Sequence, residues 1–442
     1  MVECPPYTGK VGWFDSPSAY HQFKIRDWIM KFMLIAGTRP NFMKIASIIK
    51  AIDNYNQSPD GLDTTVSRLL VHTGQHYDEA MSKSFFNDLS IPKPDINLEV
   101  GSLSHAEQTA KIMKRFESVV LREQPDVVVV VGDVNSTIAC ALVASKIVYP
   151  VSSNRNRPLI AHVEAGLRSF DREMPEEINR ILTDAISDFL FTTEESAGEN
   201  LRREGIPEEN IFFVGNTMID TLLKHYEKAK QSNALSHFGL AKGLSTDYCQ
   251  LTTDYCVLTL HRPSNVDNKE VFIDIIEALS AIAKQIPIIF PVHPRTLNRI
   301  KEFGLEKYFV FQGHNSQLTT HNSQINYINP LGYLDFLCLM SNAKLVLTDS
   351  GGMQEETTVL GIPCVTLRKN TERPVTVTHG TNLVVGIEKE NILNAALSQL
   401  EKSKTEKLTK NPKLTVPPLW DGKSGKRIID VLVSKTKRAD QP

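Results

Sequence analysis

Twelve short apolar runs, in two series, constrain this 442-residue chain more than any other feature. The first series is Phe32–Ala36, Leu69–His72, Val127–Val131, Leu159–Val163, Phe189–Thr192 and Ile211–Val214. The second is Cys256–Leu260, Ile286–Val292, Phe309–Gln312, Ile325–Ile328, Leu345–Thr348 and Cys364–Leu367. Each is apolar almost throughout rather than alternating, which is the pattern of strands buried on both faces of a parallel sheet. Amphipathic segments lie between them. In Glu176–Ser187 the residues Ile178, Ile181, Leu182, Ala185 and Ile186 share one helical stripe, the kind that turns toward a core. Strands alternating with helices predict an α/β chain. Two series predict two doubly wound, Rossmann-like domains, with ligand bound in the cleft between their C-terminal strand ends.

The length suits two ordinary domains. The expected division is an aperiodic N-terminal extension (1–31), a first domain (32–215), a second domain (216–418) and a last segment (419–442) whose helix crosses back onto the first. The linker is placed near Gly215. Two tetrapeptides recur at a spacing of seven, Thr-Asp-Tyr-Cys at 246–249 and 253–256 and His-Asn-Ser-Gln at 314–317 and 321–324; they are taken as loop duplications. The net charge of −2 excludes general nucleic-acid binding, which needs a basic surface. Six cysteines (Cys4, Cys140, Cys249, Cys256, Cys338 and Cys364) show no CxxC spacing, so no zinc or redox motif is expected. The apolar run Ile29–Ala36 is short and broken by Lys31, so neither a membrane span nor a signal peptide is predicted. The expected location is the cytoplasm.

Polar residues concentrate directly after the strands. Gly37-Thr38-Arg39-Pro40 opens a helix that contains Lys44. Glycine admits a ligand close to the backbone, a helix N-terminus favours anions, and Arg39 and Lys44 add positive charge. Turn formation explains the Gly and Pro nearly as well. Asp349-Ser350-Gly351-Gly352 precedes Gln354, Glu355 and Glu356. Small residues and free N–H groups there suit a diphosphate, and a carboxylate one turn in suits ribose hydroxyls. The plainer alternative is a capped helix start, with Asp349 or Ser350 as the cap. Acids gather on the other side: Asp133 in GDVNST, Glu164 in HVEAGLR, and Glu176 and Glu177 after Pro175. Clustered acids are expected to raise one another's pKa, leaving one protonated and another basic. His261-Arg262 ends the first strand of the second series and is expected to face those acids. His293 and Arg295, at the next strand end, are candidates for uridine or its phosphates. No serine-triad order or metal-ligand spacing stands out, so no metal site is predicted.

Eight blocks together resemble the non-hydrolysing UDP-N-acetylglucosamine 2-epimerases, in family order from about Phe32 to Val433. They are GTRPNFMK at 37–44, GDVNST at 132–137, HVEAGLRS at 162–169, MPEEINR at 174–180, VGNTMID at 214–220, LHR at 260–262, DSGGMQEE at 349–356 and TERP at 371–374. The resemblance implies a GT-B fold and a UDP-sugar partner. It implies anti elimination of UDP across C1–C2 to 2-acetamidoglucal and re-addition on the other face, without NAD or a metal cofactor. It also implies a homodimer. By motif position Asp133, Glu164 and Glu176 match the family's catalytic acids, and His261 its catalytic histidine. Arg39, Lys44, His261, Ser350, Gly351, Gly352, Glu356 and Arg373 match its UDP-contacting positions. Asn41 and Ser264 stand where many members have Glu, which leaves the sugar open, a 2,3-diacetamido sugar being the alternative. Gln75-His76-Tyr77 lies where a second substrate molecule activates some relatives. Hydrolysing epimerases usually carry Ala at Pro40. A GT-B glycosyltransferase would not call for three acids grouped with His261, and a non-catalytic sensor would be expected to have lost some of them.

Overall fold

The computed structural model describes residues 28–62, 64–75, 86, 88–150, 156–242, 250–313, 323–405 and 416–438. Cys4, Cys249, His76, Tyr77, both first tetrapeptide copies and residues 1–27 lie outside that set.

The first sheet holds seven parallel strands in the order β3-β2-β1-β4-β5-β6-β7. They are β1 (Trp28–Ala36), β2 (Thr64–His72), β3 (Ile96–Asn97), β4 (Val127–Val131), β5 (Leu159–Val163), β6 (Phe189–Thr192) and β7 (Ile211–Phe213). The five valines of β4 are all buried. Removing each from water contributes about 1.5–3 kcal/mol, which is why an unbroken apolar run takes a central strand. β1 begins at Trp28 rather than Phe32, because Trp28–Lys31 pair with Thr64–Ser67. Residues 28–31 therefore belong to the sheet and not to the extension.

After a two-stranded ribbon of β8 (Ala241–Lys242) and β9 (Gln250–Leu251), a second parallel sheet forms in the order β12-β13-β11-β10-β14-β15-β16. Its strands are β10 (Cys256–Thr259), β11 (Ile288–Pro291), β12 (Phe309–Phe311), β13 (Ile325–Ile328), β14 (Leu345–Thr348), β15 (Cys364–Thr366) and β16 (Asn382–Val384). In each sheet the strand order reverses beside the first strand, between β1 and β4 and between β10 and β14. Crevices at such switch points are where doubly wound sheets bind ligands. Two Rossmann-like domains of this kind make a GT-B-like fold.

One expectation is reversed. The Pro175–Ala185 helix buries Glu177, Arg180, Thr183 and Asp184, while Leu182 is 50% exposed and Ala185 is also exposed. Glu177, Arg180 and Asp184 share a helical stripe of their own. That stripe wins the interior because every charge on it meets a partner there, the condition for burying ions at tolerable cost.

The last helix, Ser424–Arg438, packs against the Arg39–Asn56 helix. Its Ile428, Ile429, Leu432 and Val433 join the core of Ile45, Ile48 and Ile52. Asp220 accepts the N–H groups of Ser424 and Gly425 at 3.1 and 2.8 Å, capping this helix from a distant part of the chain. The indole N–H of Trp420 donates to Thr193 O at 2.9 Å.

Candidate active site

The turn after β1 is locked by a side chain rather than by glycine alone. Asn41 Oδ1 accepts the N–H groups of Gly37 and Thr38 at 3.1 and 3.0 Å, and Asn41 Nδ2 donates to Val131 O at 3.0 Å. Asn41 thus ties the ends of β1 and β4 and is 2% exposed. A Cβ on Gly37 would lie 2.1 Å from Ser136 Oγ, so only glycine fits. Ser136 Oγ in turn donates to Gln75 Oε1 at 2.7 Å. Lys44, one turn into the helix, is carried inward and buried, whereas Arg39 stays exposed.

Glu164 is the centre of the arrangement. It is 3% exposed and sits at φ 74°, a left-handed conformation that non-glycine residues rarely hold outside sites that require it. Its Oε2 lies 2.6 Å from Lys44 Nζ, and its Oε1 accepts from Arg373 at 2.8 Å. Burial alone would raise its pKa; Lys44 and Arg373 outweigh burial and bring it below the usual carboxylate value. The expectation that clustered acids raise one another is therefore reversed here, because the cations are closer than the other acids. Arg373 also brings its Nε within 2.7 Å of Glu355 Oε1. The bridge thus runs from the first sheet, through Glu164 and Arg373, to the helix after β14.

Asp133 is paired with Arg180, which also holds Glu177 at 2.6 Å. Glu177 accepts the N–H groups of Ser169 and Phe170 at 3.0 and 2.9 Å. Glu177 therefore shapes the loop after β5, a role sequence reasoning did not single out. Glu176, its neighbour in the first turn, is only half-buried. Below them His162 bridges Asp184 (2.6 Å) and Gly132 O (2.8 Å), while Arg168 holds the other Asp184 oxygen at 2.7 Å. Gly132 has φ 67°, and a Cβ there would lie 3.0 Å from Lys44 Nζ.

On the second sheet, Asp349 is fully buried and turns away from the helix it precedes. It accepts the N–H groups of His261 and Arg262 and lies 3.2 Å from His261 Nδ1. Ser350 is the N-cap residue of the Gly351–Leu360 helix, but its side chain makes no capping bond. The plain capping reading therefore fails for both residues. A Cβ on Gly351 would lie 2.7 Å from Glu372 Oε1, and one on Gly352 would lie 2.8 Å from Met218 Cε. Burial pushes Glu356 up to about 8, and Glu355 up to about 7 even with Arg373 beside it. Tyr333 OH donates to Glu356 at 3.3 Å. His293 is exposed and caps the Pro294–Glu302 helix through Arg295 N–H. The structure brings Lys44, Glu164 and Arg373 together, and it places Arg180 between Asp133 and Glu177. Arg39 and His293 stay on the surface. Among the described residues no cluster of three or more His, Cys, Asp and Glu could hold a metal ion, and no helix is long and apolar enough to cross a membrane.

Two Rossmann-like domains with paired acids and buried cations at their switch points define a GT-B-like protein with a charged inter-sheet cleft. The family model described as UDP-N-acetylglucosamine 2-epimerase matches residues 62–433. The chain is 45% identical over 405 residues to a UDP-N-acetylglucosamine 2-epimerase of Methanocaldococcus jannaschii, covering 91% of this chain and 99% of that one. It is 40% identical to the UDP-2,3-diacetamido-2,3-dideoxy-D-glucuronate 2-epimerase of Pseudomonas aeruginosa, covering 85% and 93%. The M. jannaschii enzyme solved with UDP-GlcNAc and UDP superposes with a TM-score of 0.76 at 44% identity, covering 92% of this chain and all of that one. The chain belongs to the non-hydrolysing UDP-N-acetylglucosamine 2-epimerase family and is an isomerase.

Proposed function

We propose that this enzyme interconverts UDP-N-acetylglucosamine and UDP-N-acetylmannosamine by eliminating and re-adding UDP. A base removes the C2 proton; the C2–H electron pair becomes the C1=C2 bond of 2-acetamidoglucal, and the C1–O pair leaves with UDP. Return of UDP to C1, with a proton delivered to the opposite face of C2, gives the epimer. The observation that carries this reading is the Lys44–Glu164–Arg373 bridge, which sets a carboxylate between two cations at the meeting point of the two sheets. Lys44, Arg373, Arg39 and the N–H groups at Ser350, Gly351 and Gly352 suit a diphosphate leaving group. Glu356 suits the ribose and His293 the uridine end. Glu164, Asp133, Glu176 and His261 are the proton-transfer candidates.

A second reading keeps the reaction and changes the sugar. The identity to the diacetamido-sugar epimerase nearly equals that to the M. jannaschii enzyme, so overall similarity favours neither sugar strongly. Proton NMR in D₂O decides. Deuterium entering C2 of UDP-N-acetylglucosamine, with UDP-N-acetylmannosamine accumulating, supports the first reading. Exchange only with UDP-2,3-diacetamido sugars supports the second. Free N-acetylmannosamine would move the enzyme to the hydrolysing class. A homodimer is the assembly proposed, supported by the half-exposed apolar side chain of Leu182; light scattering reads it directly.

A further inference from the structure

Lys44 and Arg373 are both assigned to UDP in the reading above, yet in this structure carboxylates hold them both: Glu164 holds Lys44, and Glu164 and Glu355 share Arg373. All three side chains are buried, at 6%, 5% and 3% exposure. Arg373 Nη1 is buried without a hydrogen-bond partner. An ideal Cβ on Gly351, at the first turn of the helix proposed to hold the diphosphate, comes within 4.0 Å of Arg373 Nε. The guanidinium thus stands between the Glu164 carboxylate and that helix start. A doubly charged diphosphate arriving there meets the same cations and carries more charge than one carboxylate, with the helix dipole on its side.

We infer that the diphosphate and the Glu164 carboxylate are alternative counter-ions for Lys44 and Arg373, so that nucleotide binding strips Glu164 of its cations and only then frees it as a proton-transfer group. This rests on the nucleotide-sugar reading given above. The free enzyme keeps Glu164 ionised but tied. The bound enzyme leaves it in a buried place, where a carboxylate without counter-ions gains affinity for a proton. The groups around it set the balance. Lys44 from the first helix, Arg180 from the Pro175–Ala185 helix and Arg373 from the loop before Pro374 face Glu164 directly. Glu355, from the helix after β14, faces Glu164 and in turn Glu194, while Glu372 and Asp133 face Arg373. Once a diphosphate occupies the two nearest cations, Arg180 is the remaining one, and Asp133 and Glu177 already engage it. The base would thus be poised only in the presence of the leaving group whose departure it assists.

Titration calorimetry of the full chain with UDP, in buffers of different ionisation enthalpy at pH 7.5, tests this. At that pH the terminal phosphate of UDP, with a pKa near about 6, is already ionised, so a proton taken up goes to the protein. The wild type should take up a substantial fraction of a proton on binding UDP. Glu164→Gln should lose most of that uptake and bind UDP about threefold or more tightly, because one competing carboxylate is gone. Glu355 shares Arg373 and contributes its own part, so Glu355→Gln should keep a reduced uptake, which locates the remainder on Glu164 even if Glu164→Gln does not fold. UDP binding without proton uptake, uptake lost in Glu355→Gln, or weaker binding by Glu164→Gln overturns the inference while leaving the epimerase reading intact. A wild type that binds no UDP removes that reading and the inference together.

Discussion

Asp349 and His261 are joined twice: Oδ1 lies 3.2 Å from the imidazole Nδ1, and Oδ2 accepts the backbone N–H of His261 at 3.0 Å. A single buried carboxylate thus fixes both the ring and the chain that carries it, leaving Nε2 for the cleft. The ring is half exposed, and the desolvation it does suffer works against the charged imidazole, but Asp349 outweighs this and raises the His261 pKa. A raised histidine contributes stability below its unfolded pKa of about 6.5 and loses it as pH rises through the folded value. Asp349→Asn should shift the His261-dependent limb of the pH–rate profile to lower pH and cut kcat at pH 7 by about tenfold. An unchanged limb would separate Asp349 from the chemistry.

Asn41→Asp swaps a donor for an acceptor facing Val131 O. One buried hydrogen bond is lost and two oxygens are brought together, so stability should fall by about 2 kcal/mol in urea unfolding. The mutation keeps side-chain size, so a loss well below about 1 kcal/mol would mean that the β1 and β4 ends are tied elsewhere.

Asp184 is buried between His162 and Arg168. Burial alone would raise its pKa, and the contacts with His162 and Arg168 bring it below the ordinary value. A depressed carboxylate stabilises the fold above its unfolded pKa of about 3.9, and that stability is lost as pH falls through the lower folded value. Asp184→Asn should cost about 3 kcal/mol at pH 7 and flatten the decline of stability below about pH 4. Melting curves from pH 2 to 7, taken as roughly five points across the acid limb, read both effects.

Glu176 and Glu177 are adjacent but should respond in opposite ways. Glu177→Ala removes the acceptor for two N–H groups and for Arg180, and should cost about 3 kcal/mol in thermal or chemical unfolding. Glu176→Gln, half-exposed, should change stability by no more than about 0.5 kcal/mol while lowering kcat. A Glu176→Gln variant of full activity would remove Glu176 from the proton-transfer candidates.

Much of the fold was legible because burial on both sheet faces writes itself as unbroken apolar runs, as in Val127–Val131 and Leu345–Thr348, whose limits match the strands. The two-residue β3 and the three-residue β16 escaped notice. Both are edge strands, pairing on one side, and carry at most a short apolar stretch, Leu383–Val385 at β16. The Pro175–Ala185 helix misled for the opposite reason, since hydrophobic periodicity does not register a charged stripe whose partners come from β5 and its loops. At the site, position after the strands was enough to single out Lys44, Glu164 and His261, while Arg373 came only from the resemblance of TERP at 371–374. Their pairing was not readable, because Arg373 lies 209 residues from Glu164. Asn41, taken as a departure bearing on the sugar, has its side chain turned to backbone groups of its own turn and of the β4 end. Glu177 and Asp349 were both legible as acids beside a helix start, but nothing local said which way they face.

The Ser424–Arg438 helix covers the Arg39–Asn56 helix, which a ribosome would complete several hundred residues earlier. Until the final turn emerges, Ile45, Ile48 and Ile52 have no cover on that side, and Asp220 has no helix to cap. The amino-terminal half therefore cannot finish folding as an independent unit during synthesis, unlike domains that close in order of translation. A chain cut before Ser424 would expose that apolar face to holdases and proteases, so this fifteen-residue helix decides whether the core of the first domain is closed.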